Sequence, residues 1–417
     1  GAEALDSLVE RGDLAVFAGL WAPHNPEYRA LRSLLSDHRE IAAAGGWPTL
    51  TPGTTLKPGM RDPAVAVLRQ RLRASRDITV ESADPQFYDP ALEMAVKRFQ
   101  GRHGLETDGI VGRNTRAALN VPVHERIAQI LLNMERWRWL PEDLGDRYIL
   151  VNIAGFSLTL VESGSVQERM RVVVGKPYRR TPVFSDRIQY LEFNPYWTVP
   201  HSLAVEDKLP KLKANPSVLR TGGFEVFRNG KPVSPRDIDW TRLSRTNFPY
   251  TLRQKPGPKN ALGRVKFMFP NEFAVYLHDT PSQALFERAS RAFSSGCIRL
   301  ERPLDLAAAV LEESADWDRQ RIEAVLASGK NTRAPLANHL PVHLTYATAW
   351  SGEGGTIHFR PDVYGRDESL HRALFGQPPS IAHAGVMGLA VSRPETRHAS
   401  IAYLLGCLSG AWFALCV

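Results

Sequence analysis

The chain has 417 residues, of which 43% are hydrophobic and 23% charged, which is typical of globular proteins with about two to four domains. The formal net charge is +8, but the basic residues are dispersed and no helix-turn-helix, zinc-finger or RNA-binding signature is present, which argues against a nucleic-acid partner. Only three cysteines occur, none of them before Cys297, which excludes a disulfide framework. Nor does any His, Cys and Asp cluster have the spacing of metal ligands. We therefore expect a multidomain α+β protein without a metal or cofactor.

The N-terminal part of the chain is predicted to be helical. Residues 1–50 have the pattern of a partial helical scaffold, whose helix stops at the Gly45-Gly46 pair. Residues 54–121 contain three short amphipathic helices joined by glycine-bearing turns, which indicates a small helical bundle. A further amphipathic helix lies in the segment 122–146 and is expected to act as a scaffold or linker that leads into the next domain.

From residue 147 the pattern changes to short β-rich runs bounded by turns, such as RYILVNI and RVKFMFPN. We predict a mainly-β domain over 147–335, built as a sandwich or an open barrel, with residues 336–367 as its C-terminal extension. Residues 200–253 interrupt the strands with short helical pieces and many turn residues. An insertion of this length inside a compact domain is more often a lid or a binding loop than a plain connection.

The C-terminal segment, residues 368–417, fits no predicted domain. Its last part, SIAYLLGCLSGAWFALCV at 400–417, carries no charge. Its length is near the lower limit for a helix that spans a bilayer, which needs roughly 17–25 apolar residues. A membrane anchor, a buried helix and a read-through tail are the alternative interpretations. Membrane contact is expected only in the first case.

The stretch VYLHDTPSQALFERASRAFSSGCIRL, residues 275–300, holds the candidate chemistry. Tyr276 and His278 lie on one face of a predicted strand, and Gly296 and Cys297 follow in a loop. If the two strands are neighbours, His278 lies within hydrogen-bond reach of Cys297 and can activate its thiol. The N–H groups of Gly296 and Cys297 would then act as oxyanion donors. The alternative is a cysteine that is merely a small buried apolar residue.

Two parts of the sequence resemble known families. AVKRFQGRHGLETDGIVGRNTRAAL, within 54–121, resembles the peptidoglycan-binding module of bacterial cell-wall enzymes; a helical spacer that binds nothing is the alternative. LHDTP and SSGCIRL resemble the two halves of the active-site motif of the L,D-transpeptidases with a YkuD-type catalytic domain. Ser295 and Arg299 stand where much of the family has histidine and asparagine. In both departures the sequence resembles the large, lid-bearing periplasmic subgroup found in Gram-negative bacteria. The resemblance covers about 1–367.

The resemblance implies roles for individual residues. Cys297 would be the nucleophile, and His278 the general base and then the general acid, with its imidazole oriented by a backbone carbonyl. Asp279 is expected to cap the turn, and Tyr276 to contact the substrate or the oxyanion. Arg299 would hold a substrate carboxylate or a backbone carbonyl, with a structural role as the alternative. Ser294, Ser295 and Gly296 would shape the loop. Trp197, Asn260 and Gly263 would line the cleft, with plain structure as the alternative.

The function implied is two-step acyl transfer in peptidoglycan. Cys297 would attack the carbonyl of the third-position diaminopimelate of a tetrapeptide stem and release D-alanine, and the amine of a second stem would then attack the thioester. The partners would be glycan strands and stem peptides in the periplasm, with carbapenems as covalent inhibitors. A lipoprotein lysine or water as the acceptor, and a catalytically dead wall-binding scaffold, are the alternatives. The opening GAEALDSLVE shows no signal peptide, so export follows from the substrate.

Overall fold

The computed structural model describes residues 22–314 and 316–376. The beginning of the predicted scaffold and the uncharged stretch at 400–417 lie outside these residues. In the described part, no helix has both the length and the apolar character needed to cross a bilayer. Helices dominate the N-terminal third and strands the rest, which confirms the mixed α+β class.

Between residue 22 and the first long strand there are five helices, close to the predicted positions. Three of them begin with the same device: an Asn or Asp side chain accepts a hydrogen bond from a first-turn N–H, and proline occupies the next position. Their bounds are α1 Pro26–Ala43, α2 Pro63–Ala74, α3 Pro90–Arg102, α4 Arg113–Leu119 and α5 Val123–Trp137.

The helices α2, α3 and α4 enclose a core of their own, centred on residues such as Leu68, Leu92 and Phe99. Gln100 closes the Asp-Gly turn after α3, because its Oε1 accepts the Gly109 N–H at 2.9 Å. The helices α1 and α5 form a separate apolar cluster with the hairpin β14–β15 described below. The small bundle predicted from the sequence is therefore present as three helices with one core.

Nine described strands of the predicted mainly-β domain form one mixed sheet in the order β11-β3-β12-β10-β9-β4-β13-β1-β2. Since β2 also pairs with β3, the circuit of hydrogen-bonded strands closes on itself. The predicted sandwich or open barrel is thus corrected to a closed arrangement, which depends on pairings between strands that are distant in sequence. The strands are β1 Arg147–Asn152, β2 Ser157–Glu162, β3 Ser165–Gly175, β4 Phe184–Phe193, β9 Val265–Met268, β10 Leu277–His278, β11 Ala292–Ser294, β12 Ile298–Leu300 and β13 Thr332–Thr345.

The core of this sheet contains fully buried side chains such as Phe267, Leu277 and Ile298. Two helices that the strand pattern did not predict, α9 Pro303–Leu311 and α10 Arg319–Ser328, add Leu306 and Ile322 to the same core. The last described elements are the hairpin β14 Ala349–Ser351 and β15 Ile357–Phe359 and the helix α11 Arg366–Phe375.

The insertion at 200–253 is a small subdomain with its own core, which includes Leu212, Trp240 and Leu252. Its sheet has the order β5-β8-β6-β7. Sequence analysis predicted the helical pieces but missed the strands. The elements are β5 Trp197–Thr198, α6 His201–Leu203, a π-helical turn Ala204–Lys208, α7 Leu209–Ala214, α8 Val218–Thr221, β6 Phe224–Arg228, β7 Lys231–Val233 and β8 Tyr250–Gln254.

Candidate active site

The two halves of the motif lie on neighbouring strands. β10 pairs in parallel with β12, with Leu277 opposite Ile298 and His278 opposite Arg299. The rings of Tyr276 and His278 are 5.7 Å apart, so the two side chains lie on one side of the strand, as their spacing predicts. The same register sets Cys297 across from Tyr276, because it is one position before the first matched pair.

The imidazole of His278 is held by the backbone. Its side chain is almost fully buried, and Nδ1 lies 2.5 Å from the carbonyl oxygen of Asp279. A carbonyl can only accept, so Nδ1 carries the proton and Nε2 keeps its lone pair. The Asp279 carboxylate accepts the N–H groups of Arg264 and Thr280 at 2.8 and 2.7 Å and does not orient the imidazole.

In the described residues no hydrogen bond joins Cys297 and His278. The thiol is instead directed at the carbonyl oxygen of Ala274, with an Sγ–O distance of 4.0 Å. The reason is the parallel register, in which the residue across from Cys297 is Tyr276 and the histidine lies diagonally. The expectation that the two side chains lie within hydrogen-bond reach stays a prediction.

Both groups are uncharged at neutral pH. Burial lowers the pKa of His278 to about 3, with further lowering by the charges of Arg299 and Lys266, against the hydrogen bond to Asp279. Burial raises the pKa of the Cys297 thiol, while Tyr276, Lys266 and Arg299 act in the opposite direction. The resting pair is therefore a thiol and a neutral imidazole rather than an ion pair.

The loop before the cysteine is tied by Ser294. Its hydroxyl donates to the carbonyl of Cys297 at 2.6 Å and accepts the N–H of Gly296 at 3.1 Å. Gly296 has a φ of +118°, which favours glycine strongly. Because the Gly296 N–H is already used, only one of the two expected oxyanion donors remains: within the described residues the Cys297 N–H makes no hydrogen bond.

Lys266 is a site residue that the motif analysis missed. It pairs with His278 across β9 and β10, and its Nζ lies 4.2 Å from the centroid of the Tyr276 ring. In the part of the chain that the structure describes, neither Lys266 nor Arg299 forms an ion pair with a carboxylate. The alternating pattern of β9 in the sequence predicts that Lys266 faces away from the core. Its nearness to Cys297 could not be predicted, because it depends on how β9, β10 and β12 pair.

Comparison with known proteins identifies this arrangement. Residues 146–325 match the family model described as "L,D-transpeptidase catalytic domain". The chain carries an L,D-transpeptidase catalytic domain. Residues 61–119 match the model described as "Putative peptidoglycan binding domain", which agrees with the resemblance of the helices α2 to α4. The motif halves LHDTP and SSGCIRL thus both lie inside the transpeptidase match.

A curated Haemophilus influenzae protein named "Putative L,D-transpeptidase" is 40% identical over 246 residues, which cover 59% of this chain and 49% of that protein. The chain therefore spans about half the length of that relative. Among solved structures, an L,D-transpeptidase from Xylanimonas cellulosilytica has 17% identity, a TM-score of 0.25 and coverage of 70% of this chain and 98% of that one. L,D-transpeptidase 3 from Mycobacterium tuberculosis with a faropenem-derived adduct has 12% identity, a TM-score of 0.24 and coverage of 48% and 60%.

The three residues expected to line the transpeptidase cleft have different surroundings. Asn260 is buried, and its amide donates to the carbonyls of Pro195 and Lys255, both at 2.9 Å, so its contacts are those of a residue that braces a loop. Gly263 has a φ of +63°, and a Cβ there would overlap the Asp279 carboxylate. Trp197 lies in β5 of the inserted subdomain, partly exposed, with the Nζ of Lys208 5.1 Å from its ring.

Arg179 connects the inserted subdomain to the loop that leads to Cys297. Its guanidinium donates to Asp207 at 2.7 and 2.9 Å and to Glu206 at 2.9 Å, both in the π-helical turn. The same Nη1 donates to the hydroxyl of Ser295 at 3.1 Å. Arg179 therefore contacts the insertion on one side and Ser295, in the loop before Cys297, on the other.

Proposed function

We propose that the L,D-transpeptidase domain joins peptidoglycan stem peptides through a thioester on Cys297. The donor would be a tetrapeptide stem whose third residue is diaminopimelate, and the product a cross-link between two third-position residues with release of D-alanine. The observation that carries this proposal is the set of groups around Cys297: a buried neutral imidazole held at Nδ1 by the Asp279 carbonyl, and a Cys297 N–H that has no hydrogen-bond partner in the described residues. Acyl transfer needs a proton acceptor and an oxyanion donor next to the nucleophile.

The first step forms the bond between Sγ and the carbonyl carbon of the third residue. As the bond forms, the thiol proton passes to Nε2 of His278, and the oxyanion accepts the Cys297 N–H. Collapse then breaks the peptide bond to D-alanine, whose amine takes the proton from the imidazolium. Because the resting imidazole has a pKa of about 3, its protonated form is a strong acid that returns the proton readily.

The second step breaks the thioester. The amine of a second stem attacks the carbonyl carbon, His278 accepts an amine proton, and the thiol leaves with that proton. The free cations of Lys266 and Arg299 support a substrate that brings carboxylates, as a stem peptide with diaminopimelate does. The domain at 61–119 would hold the glycan strand nearby and so raise the local concentration of stems. This chemistry places the protein in the cell envelope.

The decisive experiment is mass spectrometry of the protein and its products after incubation with purified disaccharide-tetrapeptide. We expect a tripeptide acyl adduct on Cys297, and dimers whose mass is two monomers less one D-alanine. The variant Cys297→Ala is the control and should give neither. A carbapenem should leave an adduct on the same cysteine, because its strained carbonyl is open to the same attack.

Other outcomes assign other functions. Tripeptide without dimers would mean that water or another amine, such as a lipoprotein lysine, is the acceptor. No adduct and no turnover by a folded wild-type protein would contradict the proposal and favour a wall-binding scaffold. Circular dichroism on the same samples separates that result from loss of fold.

A further inference from the structure

The carbonyl of Gly296 is anchored from the inside of the fold. The hydroxyl of Thr181, a residue with no exposed surface, donates to this carbonyl at 2.8 Å. The same hydroxyl accepts the N–H of Gly175 at 2.9 Å, at the end of β3. The Thr181 hydroxyl is thus held by two hydrogen bonds, one to the Gly296 carbonyl and one from Gly175 at the end of strand β3.

Tyr364 holds Thr181 in turn. Its hydroxyl donates to the carbonyl of Gly175 at 2.6 Å and accepts the N–H of Thr181 at 3.2 Å. Its ring is buried and stacks on Tyr346, with centroids 5.6 Å apart and planes at 21°. The Tyr346 hydroxyl donates to Asp362 at 2.5 Å and accepts the Tyr364 N–H at 2.9 Å. Tyr364 lies beyond the residues that match the catalytic-domain model.

Fixing the Gly296 carbonyl also fixes the Cys297 N–H. The two groups belong to one planar trans peptide, in which C=O and N–H point in opposite directions. With the carbonyl directed at buried Thr181, the N–H points away from it, and no acceptor in the described residues competes for it. Gly296 itself offers little resistance to rotation, because glycine has the widest backbone freedom.

We propose that Thr181 and Tyr364 are positioning residues for catalysis, which aim the Cys297 N–H at the oxyanion of the acylation step. The inference rests on the proposed acyl transfer at Cys297, and it adds a residue from the C-terminal extension at 336–367 to the machinery. Neither side chain touches the substrate. Their effect is on the direction of one peptide plane, so it is expected in reactions that develop an oxyanion and not in others.

The test compares two reagents on the intact chain. p-Nitrophenyl acetate acylates a thiol through an oxyanion, whereas iodoacetamide alkylates it by displacement at carbon without one. Thr181→Val keeps the shape of the side chain but removes its hydroxyl donor, and we expect acylation of Cys297 to slow at least tenfold. Complete loss of an oxyanion donor lowers a rate roughly 10²–10³-fold, so a misdirected donor should cost less than that. Alkylation should stay within about twofold. Thr181→Ser should restore acylation, and Tyr364→Phe, which keeps the stacked ring, should fall between the two.

Equal losses in both reactions would overturn the proposal, because they would indicate general disorder of the loop. No loss in either would also overturn it. The ratio of the two rates needs no cell-wall substrate, so failure of wild type to act on the disaccharide-tetrapeptide would contradict the proposed function and leave this test intact. With that donor active, the same variants should lower kcat and leave KM unchanged.

Discussion

At the residue scale, the Cys297 thiol is subject to opposing influences. Burial raises its pKa, and the positive charges of Lys266 and Arg299 lower it. The net direction is upward, so at pH 7 the thiolate fraction is smaller than that of a free cysteine, whose pKa is about 8.5. The site therefore depends on proton transfer to His278 during attack, rather than on a preformed thiolate.

The first prediction concerns the pH dependence of thiol alkylation. The iodoacetamide rate at Cys297 should rise continuously from pH 6 through pH 9, with a midpoint above that of an ordinary cysteine. Lys266→Met removes a nearby positive charge, so it should move the midpoint further up and slow alkylation at pH 8 several-fold. The matched control is Lys330→Met, at an exposed lysine after α10. Peptide mapping by mass spectrometry gives the rate for Cys297 alone.

A different profile would contradict this protonation state. If the rate reached its plateau below pH 7, the resting site would be a thiolate beside an imidazolium, and the raised pKa of the thiol would be wrong. An equal effect of Lys266→Met and Lys330→Met would mean that the lysine charge does not reach the sulfur. Neither result would depend on the identity of the natural substrate.

The sequence predicted the chemical groups of the site better than their contacts. The spacing of Tyr276 and His278 fixes their common face, and the structure confirms it. The reach between thiol and imidazole stays a prediction, because it depends on the register between β10 and β12 and on the rotamer of the cysteine. Lys266 was missed for a similar reason: nothing local in RVKFMFPN shows that this strand lies beside the cysteine.

At the element scale, the helical segment of the insertion is joined to the loop before Cys297 through Arg179. Arg179 is mostly buried and makes charge-assisted hydrogen bonds to both Glu206 and Asp207. Arg245 also pairs with Glu206, but at 3.3 Å and with a side chain that is largely exposed. Exposed pairs contribute little, whereas a multidentate pair with restricted solvent access contributes more.

The second prediction is that this contact keeps the segment 201–214 closed over the loop that leads to Cys297. In Arg179→Gln, backbone amides of 201–214 should exchange with deuterium several-fold faster than in wild type, and those of the loop containing Ser295 should follow. Arg245→Gln is the matched control and should leave both segments unchanged. Hydrogen exchange with mass spectrometry measures both in one experiment. Unchanged exchange in Arg179→Gln would show that the subdomain core alone holds the segment.

The strands of this insertion could have been predicted. The turn between β6 and β7 is Asn229-Gly230, and both residues have positive φ, at +53° and +76°. Asn-Gly between two apolar-alternating runs is the strongest short-range signal of a two-residue hairpin. The third strand, β8, pairs with β5 from the other end of the insertion, and that pairing has no local signal.

At the scale of the whole molecule, the domain that matches the peptidoglycan-binding model is not a loosely tethered unit. The guanidinium of Arg360, after β15, donates to the carbonyl of Arg102 at 2.8 Å. In return, Arg102 donates to the carbonyl of Ile357 at 3.1 Å. Gly104 lets the arginine lie against the turn after α3, since a Cβ there would be 2.5 Å from Cδ of Arg360. Removing this domain would expose the hairpin, so a point variant tests the docking more cleanly than a deletion.

The third prediction uses two glycines with the same backbone conformation. Gly104 and Gly59 have φ of +67° and +82°, and both belong to the same small domain, but a Cβ at Gly59 meets nothing within 4 Å. Alanine at either position costs about 1–2 kcal/mol for the left-handed conformation. Only Gly104→Ala also displaces Arg360, so it should lower the free energy of unfolding more than Gly59→Ala and speed hydrogen exchange at residues 357–360. Equal losses in chemical unfolding, with no change at 357–360, would mean that the arginine is not what holds the domain in place.

If the docking is also what presents glycan-bound stems to Cys297, Gly104→Ala should reduce turnover on polymeric peptidoglycan and leave turnover on the soluble disaccharide-tetrapeptide unchanged, whereas Gly59→Ala should change neither.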